Sequence, residues 1–404
     1  MKFVHVADAH IGSFRDEKLK TLSIDALTES INFTIDSNAD FYIIAGDLFN
    51  TALPAIEHVK EVVKQLKRLK NENIPVYFIA GSHDYSPSGK TMLDVIEEAG
   101  LGINVMRGQI QNKKLRLKFT EDKKTGAKLV GINGLRGMLD KHTYEDLNKE
   151  ELEREEGFKI FLFHTAIDEL KPKYLEQMAS YPANLMPKEF NYYAGGHIHI
   201  TEKKTIQGYE NLIYPGPLFP ANFHELEKLQ TGSFYYYDNG NILKKEVNTK
   251  KVLQEEINVK DSNPQEITNQ IEQRFAFQDV KNKIVLIRIT GNLKVGKPQE
   301  IDFANIIKTL QSKGAYYVMK STTKLQSPDV FNEQEDNQTT EEDIIKEYEN
   351  QTPNNFKDET KTIIELINTF SQEKNEAEKQ TDYEKRIKQD ADSTIKQNTK
   401  DHEA

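Results

Sequence analysis

The chain has 404 residues, a net charge of −10 and no cysteine, and this length predicts two domains with extensions rather than a single core. The absence of cysteine excludes a disulfide scaffold and thiolate ligands, so a bound metal would be manganese, iron, zinc or magnesium held by His, Asp, Glu, Asn or water. No apolar run approaches the roughly 20 residues that span a bilayer, and the start MKFVHVADAH is unlike a signal peptide, so we expect a cytoplasmic protein with no membrane partner.

Short apolar runs typical of buried strands recur through the first 225 residues. They lie at residues 3–7, 41–45, 76–80, 129–132, 160–163, 192–194 and 212–214. Helical spacing lies between the early runs, as at residues 56–69, where a helix could pack inside the domain or across a dimer interface. Strands interleaved with helices predict the α/β fold class, as a layered domain over residues 1–225 with central sheets flanked by helices.

A second, smaller unit is predicted at residues 226–326. Helical patterns at 264–275 and 303–310 alternate with strand patterns at 284–289 and 315–319. A turn near Gly291 follows the first of these strands. The alternation predicts a small α/β cap domain.

The remaining residues carry the negative charge. Residues 331–404 contain 20 acidic and 10 basic side chains, which leaves 44 of each in residues 1–330. Residues 327–340 are rich in Asn, Gln, Asp and Glu and predict a polar linker, and residues 375–404 are expected to be disordered. An acidic tail says little about what the neutral body binds, because local patches rather than net charge attract phosphates.

Residues 341–374 predict a helical extension with two apolar islands. The first island is Ile344, Ile345 and Tyr348, and the second is Ile363, Leu366, Ile367 and Phe370. The second has the one-sided spacing of an amphipathic helix. Such a helix could pack back on its own domain or dock in the apolar groove of a partner, and the polar linker before it favours docking.

Polar side chains follow the predicted strands of the first domain. They are Asp8, His10, Asp47, Ser82, His83, Asp84, His164, His197 and His199. The Asp8–His10 and His197–His199 pairs each alternate, so an extended backbone would point both members of a pair to the same side. Because loops beyond the carboxyl ends of strands converge on one crevice, we expect all of these side chains to meet.

This mixture of imidazoles and carboxylates is large enough for two cations about 3.5–4 Å apart, the arrangement that clamps the attacking and leaving oxygens in phosphoryl displacement. Each motif alone is more often a surface turn or a hydrogen-bonded edge residue. The ordered conjunction of all of them favours a two-metal phosphoesterase.

The order Asp-x-His, Gly-Asp, Gly-x-His-Asp, His and Gly-His-x-His resembles that of the calcineurin-like metallophosphoesterases. The stretches FVHVADAHIG, IIAGDLFN, FIAGSHD, IFLFHTAIDELKP, YYAGGHIH and IYPGPLFP are similar to the Mre-eleven/SbcD family of double-strand-break repair nucleases, as is LIRITGNLKVGKPQEIDF in the cap. The resemblance covers about residues 1–325. It implies a manganese-dependent DNA exonuclease and endonuclease, associated with the nucleoid, that processes DNA ends.

The resemblance also implies a role for each site residue. Asp8, His10 and His199 would hold one Mn²⁺, Ser82, His164 and His197 the other, and Asp47 would bridge the two ions. His83 would act at the leaving oxygen and Asp84 would fix the orientation of its ring. Mg²⁺, Fe²⁺ or Zn²⁺ could replace manganese.

Two residues depart from the family pattern. Ser82 stands where the family usually has Asn, and its hydroxyl lies one bond nearer the backbone, so the second ion could bind through a water or more weakly. Asn50 stands where members often have His, at a position associated with guiding the DNA end. A DNA-end scaffold with reduced catalysis is therefore one rival hypothesis, and a phosphatase for phosphoproteins or nucleotides is the other.

Partners follow from the same resemblance. It implies DNA as duplex ends and single strands, a homodimer, and an SMC-like ABC ATPase of the Rad-fifty/SbcC type bound through residues 363–370. Clusters at residues 113–116 and 203–204 are candidate contacts to DNA phosphates, although a solvated face is the commoner origin of such clusters.

Overall fold

Two six-stranded sheets lie face to face in the computed structural model, with helices on their outer faces. The structure describes residues 1–86, 91–327, 359–370 and 380–398. Met1–Pro328 form one compact unit and Asp329–Ala404 form a second. The predicted α/β fold class of layered sheets and helices is confirmed.

The first sheet combines strands from both ends of the first unit. Its strands are β1 (Lys2–Val6), β2 (Phe41–Ala45), β3 (Val76–Ile79), β4 (Ile103–Asn104), β13 (Gly232–Asp238) and β14 (Asn241–Val247). Their order is β14-β13-β1-β2-β3-β4, and β1 to β4 run parallel while β13 is antiparallel to β1. The sheet therefore continues beyond residue 225, the predicted end of the first domain.

The second sheet is built from the middle of the unit. Its strands are β7 (Thr120–Glu121), β8 (Lys128–Ile132), β9 (Lys159–His164), β10 (Tyr192–Gly196), β11 (Thr201–Ile206) and β12 (Tyr209–Pro215). Their order is β11-β12-β10-β9-β8-β7, and β8, β9, β10 and β12 are parallel. A separate hairpin is formed by β5 (Gly108–Gln111) and β6 (Lys114–Leu117).

Side-chain alternation divides the strand residues between two buried layers. In β1, Phe3 faces the core between the sheets and Val4 faces the helix layer, and β2 repeats the pattern with Phe41 and Tyr42. The Phe3 and Phe41 rings stack with their centroids 4.9 Å apart. Because both faces of the central strands are covered, these strands read as continuous apolar runs, which is why the sequence located them well.

Six helices cover this pair of sheets. They are α1 (Glu17–Asp36), α2 (Ile56–Asn71), α3 (Met92–Glu98), α4 (Lys141–Glu145), α5 (Lys149–Glu153) and α6 (Phe223–Leu229). Helix α1 begins after Asp16, whose carboxylate accepts a hydrogen bond of 2.9 Å from the Lys18 amide, and Leu19, Leu22 and Leu27 bury one of its faces.

A three-stranded parallel sheet with two helices completes the first unit. Its elements are β15 (Val252–Ser262), α7 (Pro264–Arg274), β16 (Ile284–Leu293), α8 (Phe303–Ser312) and β17 (Tyr317–Gln326), in the strand order β15-β16-β17. These elements bury an apolar core of their own. The sequence predicted both helices and the later strands but not β15, whose charged residues alternate with the buried Ile257 and Val259.

The second unit contains two described helices, α9 (Glu359–Phe370) and α10 (Gln380–Asn398), which pack against each other. The Asn398 side chain donates a 3.0 Å hydrogen bond to Glu365. Residues 380–398, which lie in the segment expected to be disordered, form a helix in the structure, where the buried Ile387 and Ala391 recur at helical spacing within a polar stretch. The predicted linker beyond residue 327 and the island at residues 344–348 lie outside the described residues. Among the described helices, none is both long and apolar enough to cross a membrane.

Candidate metal centre

The predicted site residues converge where the carboxyl edges of both sheets meet. The loop after β1 pairs with the loop after β2, because the Asp8 amide donates to the Gly46 carbonyl at 3.1 Å and the His10 amide donates to the Asp47 carbonyl at 3.0 Å. His164 ends β9 on the face that Ile160 and Leu162 turn toward the first sheet. The parallel strand ends therefore gather residues that are 189 positions apart in the sequence.

The backbone at several of these residues is in the left-handed region. Asp8 has φ +50°, His10 +41°, Asp47 +51° and His197 +98°. The expectation that an extended backbone aligns each pair was therefore wrong, although Asp8 and His10 do converge. Such a conformation costs about 1–3 kcal/mol per non-glycine residue and persists where the surroundings impose it, which is typical of functional sites.

Glycines allow the close packing around His164. Gly46 has φ +87°, and a Cβ placed on it would lie 2.2 Å from His164 Nδ1. A Cβ on Gly196 would lie 2.2 Å from the Ala45 carbonyl oxygen and 2.8 Å from His164 Nδ1. The glycines of the Gly-Asp and Gly-Gly-His motifs thus make room for this imidazole.

The first ligand cluster is Asp8, His10 and His199, whose potential ligand atoms all lie within 4.8 Å of one another. The Nε2 atoms of His10 and His199 are 3.0 Å apart, and His199 Nε2 is 3.8 Å from Asp8 Oδ1. The family resemblance implied the same three residues around one ion.

The second ligand cluster is Asp8, Asp47 and His164. His164 Nε2 lies 3.1 Å from Asp47 Oδ2 and 4.0 Å from Asp8 Oδ1. On the other side of the ring, Nδ1 is 2.8 Å from the Ala45 carbonyl, which makes Nδ1 the donor there. His164 Nε2 is buried without a properly oriented hydrogen-bond partner, and a cation held between these atoms would satisfy it.

A third cluster joins His83 to His10 and Asp47. The Asp47 carboxylate accepts a 2.7 Å hydrogen bond from the His83 amide, and the Ser82 hydroxyl is 3.5 Å from Asp47 Oδ2. The His197 ring lies 5.2 Å from the His164 ring between centroids. Asp8, His10 and Asp47 each belong to two of the three clusters, so the clusters overlap in a single site.

The role expected of Asp84 differs in the structure. Its buried carboxylate accepts from the backbone amides of Leu48, Phe49 and Gly81 at 3.0–3.3 Å. His83 Nδ1 is instead 2.8 Å from the Asn50 carbonyl. Asp84 thus links the loops after β2 and β3, because a buried carboxylate needs several donors and the loop amides supply them. The Asn50 carbonyl, and not Asp84, orients the His83 ring.

Burial and neighbouring charges shift the pKa values of the site residues in opposite directions. Burial raises the pKa of the Asp8 carboxyl to about 6 and lowers the pKa of the His10 imidazole to about 3. Burial alone would lower the pKa of His199, but its hydrogen bond to Glu225 and the Asp8 charge raise it to about 9. Burial likewise opposes ionisation of Asp47, but the neighbouring His164 holds the pKa of this carboxyl well below its usual range. Such packed acids and imidazoles are the chemistry of a divalent-cation site.

Sequence reasoning missed Glu225. Its Oε1 atom lies 2.9 Å from His199 Nδ1, so the carboxylate fixes the ring nitrogen that does not face the site. Glu225 sits outside the strand-end motifs, at the start of α6. The available signal was the stretch IYPGPLFP just before this helix.

The two candidate basic clusters lie on exposed strands and are engaged by the protein itself. Arg116 pairs with Glu151 at 3.2 Å, and Lys204 donates to the Glu169 carbonyl at 2.6 Å. These contacts give no positive support for either cluster as a DNA-binding surface.

Comparisons with known proteins identify a similar family and similar named proteins. Residues 1–201 match the family described as calcineurin-like phosphoesterase. The chain is 30% identical over 254 residues to the DNA double-strand break repair protein Mre11 of Archaeoglobus fulgidus, which covers 57% of this chain and 52% of that protein. It is 28% identical over 303 residues to the protein of the same name from Methanococcus maripaludis, which covers 71% of this chain and 77% of the relative.

A solved structure of a dimetal phosphatase from Danio rerio is 10% identical, covers 62% of this chain and 97% of its own, and has a TM-score of 0.41. The chain spans about half the length of the Archaeoglobus fulgidus relative.

Proposed function

We propose that this chain, whose residues 1–201 match the calcineurin-like phosphoesterase family, is a metal-dependent phosphodiesterase that cuts DNA at double-strand breaks. The observation that carries the proposal is the set of three overlapping clusters of carboxylates and imidazoles at the meeting point of the two sheets. The names of the archaeal relatives supply the substrate class.

The ligand set suits two divalent cations, with Mn²⁺ as the proposed pair. Asp8, His10 and His199 would hold one ion, His164, His197 and Ser82 the other, and Asp47 would contact both. When bound, the ions would lower the pKa of water and neutralise charge on the phosphate. A mixture of imidazole and carboxylate donors without thiolates is compatible with manganese, and also with iron or zinc.

The remaining residues position the phosphate and move a proton. His83 Nδ1–H donates to the Asn50 carbonyl, so Nε2 faces the site, and the doubly protonated ring could pass its Nε2 proton to the leaving oxygen. Asp84 keeps the His83 loop against the loop after β2 through its three amide contacts. Both roles depend on the loops after β2 and β3, which are neighbouring strands of the first sheet.

The test is cleavage of linear duplex DNA in the presence of Mn²⁺ by the wild type and by His83→Ala. We expect His83→Ala to lower the rate by about 10²–10⁴-fold, the range for loss of a general acid, while both ions still bind. His142→Ala is the matched control, because the His142 side chain is 87% exposed on α4, and it should cleave at the wild-type rate.

Activity on a small phosphomonoester with none on DNA would replace this proposal with a phosphatase. A wild type that binds both ions and cleaves neither substrate would leave only a DNA-end scaffold, and recovery of cleavage in Ser82→Asn would then identify Ser82 as the cause.

We further propose an SMC-like ABC ATPase of the Rad-fifty/SbcC type as the partner of helix α9, and a homodimer as the assembly. The support for the partner is the exposed end of α9, where the Phe370 side chain is 62% exposed. Leu53, just before α2, is 81% exposed, and Ile56, its first residue, is 79% exposed. Both are compatible with an interface between two copies.

A further inference from the structure

Helix α6 carries a carboxylate that holds a metal ligand from behind. Glu225 Oε1 lies 2.9 Å from His199 Nδ1, so Nδ1–H donates to this oxygen. The opposite nitrogen, Nε2, faces His10 and Asp8. The contact therefore selects both the tautomer and the ring orientation that a ligand at this position needs.

The Glu225 carboxylate is itself fixed by the turn that starts the helix. Its Oε2 atom accepts a 2.8 Å hydrogen bond from the Ala221 amide, and Asn222 Nδ2 donates to Oε1 at 2.6 Å. The Asn222 side chain in turn accepts from the Glu225 amide at 3.0 Å and caps the helix. The position of the Glu225 carboxylate is therefore set by the start of α6.

The other side of α6 is held by the three-stranded sheet. Arg288 on β16 donates to both carboxylate oxygens of Glu227, at 2.7 Å in the longer contact, and lies over the Phe223 ring at 4.9 Å. The Arg288 side chain is 7% exposed, and its third contact is a 3.2 Å hydrogen bond to Ser321 on β17. A desolvated bidentate pair of this kind sets geometry more than it adds stability.

We propose that α6 is a positioning element of the metal centre, in which Glu225 orients His199 and the Glu227–Arg288 pair fixes α6 to the three-stranded sheet. The inference rests on the proposed function for the identity of the bound ions. It goes beyond that function because it gives the three-stranded sheet a part in defining one metal site. A displacement of β16 would pull on α6 and change the affinity at His199 without touching any ligand.

The test is titration of the metal-free full chain with Mn²⁺, followed calorimetrically, and with Co²⁺, followed by its visible absorption. We expect Glu225→Ala to weaken one of the two ions by about 10–100-fold and to change the Co²⁺ spectrum of that ion only. Glu225→Gln keeps an acceptor for Nδ1–H and should recover most of the affinity.

Glu266→Ala is the matched control. Glu266 closes the capping box of α7 as Glu225 closes the start of α6, but its carboxylate accepts from the Asn263 amide and not from a site residue. Its loss should lower the thermal midpoint and leave the binding of both ions and the Co²⁺ spectrum unchanged.

A double-mutant cycle tests the tie to the sheet. We expect Arg288→Ala to weaken the same ion by at least about threefold in the wild-type background and to have no further effect in Glu225→Ala, because both changes act through α6. Arg288→Lys, which keeps the charge and loses the bidentate fork, gives the same comparison if the alanine variant does not fold.

Unchanged Mn²⁺ affinity in Glu225→Ala, with two ions bound to the wild type, would overturn the inference and leave the proposed function standing. Additive effects of the two substitutions would overturn the tie to β16. A wild type that binds no divalent cation would overturn both the inference and the proposed function.

Discussion

At the scale of single residues, the site is defined by how closely atoms of the two sheets approach. His164 belongs to the second sheet, yet its ring is packed against Gly46 in the loop after β2. His164 Nε2 reaches Asp47 of the same loop at 3.1 Å. A change that pushes the ring away should therefore act on the metal site and on stability together.

Gly46→Ala is the change that tests this packing. The new Cβ would lie 2.2 Å from His164 Nδ1 and would also occupy a backbone with φ +87°. We expect a loss of about 2–4 kcal/mol in the free energy of unfolding, from strain and overpacking together, and weaker binding of the ion at His164. Thermal unfolding of the metal-free protein and Mn²⁺ titration measure the two effects.

Gly126→Ala is its control, because Gly126 also has positive φ, at +71°, but a Cβ there meets nothing within 4 Å. It should cost about 1–2 kcal/mol and leave metal binding intact. Equal losses in the two variants would mean that the contact with His164 has no energetic weight.

Proton release on metal binding is a second expectation at this scale. The pKa of His199 in the metal-free protein is raised to about 9 from 6.5, so the ring is protonated at pH 7.5 and must lose its proton to bind a cation. His164, the proposed ligand of the other ion, should behave alike, because burial lowers the pKa of its ring but the Asp47 charge and hydrogen bond raise it to about 10. Mn²⁺ affinity should therefore rise with pH through about 9, with release of about two protons at pH 7.5, one from each ring. Calorimetric titration in two buffers of different ionisation enthalpy measures the number.

The same shift has the opposite sign for the stability of the metal-free protein. The raised pKa contributes stability that is fully present below pH 6.5 and lost as the pH rises through about 9. Uptake of protons on binding, or an affinity that is flat between pH 6.5 and 9, would contradict this account of His199.

The sequence located the ligands better than it located the groups behind them. Asp8, Asp47 and His164 each follow an apolar run, so the strand pattern alone marks them. Glu225 follows no strand, and its role depends on where α6 lies relative to β10, which no local pattern encodes. The role of Asp84 was predicted from its place beside His83 in the sequence, whereas two of the amides that donate to it, those of Phe49 and Leu48, lie 35 and 36 positions away.

At the scale of secondary-structure elements, burial on both faces decided which segments could be predicted. The central strands are apolar throughout and were found within a few residues. Strand β15 mixes charged and buried residues, and α10 hides two apolar side chains in a highly polar stretch. Both were missed because their apolar residues are few, and tertiary contacts complete what propensity alone leaves undecided.

Ile387→Ala tests how much the packing of α10 contributes to the stability of the second unit. Ile387 is buried, and removing its side chain should cost about 2–4 kcal/mol of local stability. We expect faster amide hydrogen exchange throughout α9 and α10, since the two helices pack together. Lys388→Ala, one residue along on an exposed position, should leave exchange unchanged, and equal exchange in both variants and the wild type would return this segment to the disorder first expected.

At the scale of the whole molecule, the charge of the chain is divided between a neutral body and an acidic extension. Residues 1–330 contain equal numbers of acidic and basic side chains, and residues 331–404 hold an excess of 10 acids. The metal ligands all lie in the neutral body. In the proposed function, the first unit would cut DNA and the second would bind the ATPase.

This division predicts that partner binding can be removed without loss of catalysis. Phe370 is 62% exposed at the end of α9, and exposed aromatic side chains of amphipathic helices are frequent anchors in a partner's groove. We expect Phe370→Asp in the full chain to weaken binding to the cognate SMC-like ATPase by at least about 30-fold, as loss of a hot spot of about 2 kcal/mol would. Cleavage of short DNA by the variant alone should keep the wild-type rate, since the substitution lies far along the chain from every metal ligand.

Asn368→Asp adds the same charge two residues earlier, at an exposed position of the same helix, and separates a lost contact from simple repulsion. If Asn368→Asp weakens ATPase binding as much as Phe370→Asp, charge rather than the aromatic ring controls the interaction and the helix does not dock through this side chain. If neither variant changes binding while both still cleave DNA, the partner contacts another surface. Measuring binding by surface plasmon resonance and cleavage on the same preparations decides between these outcomes.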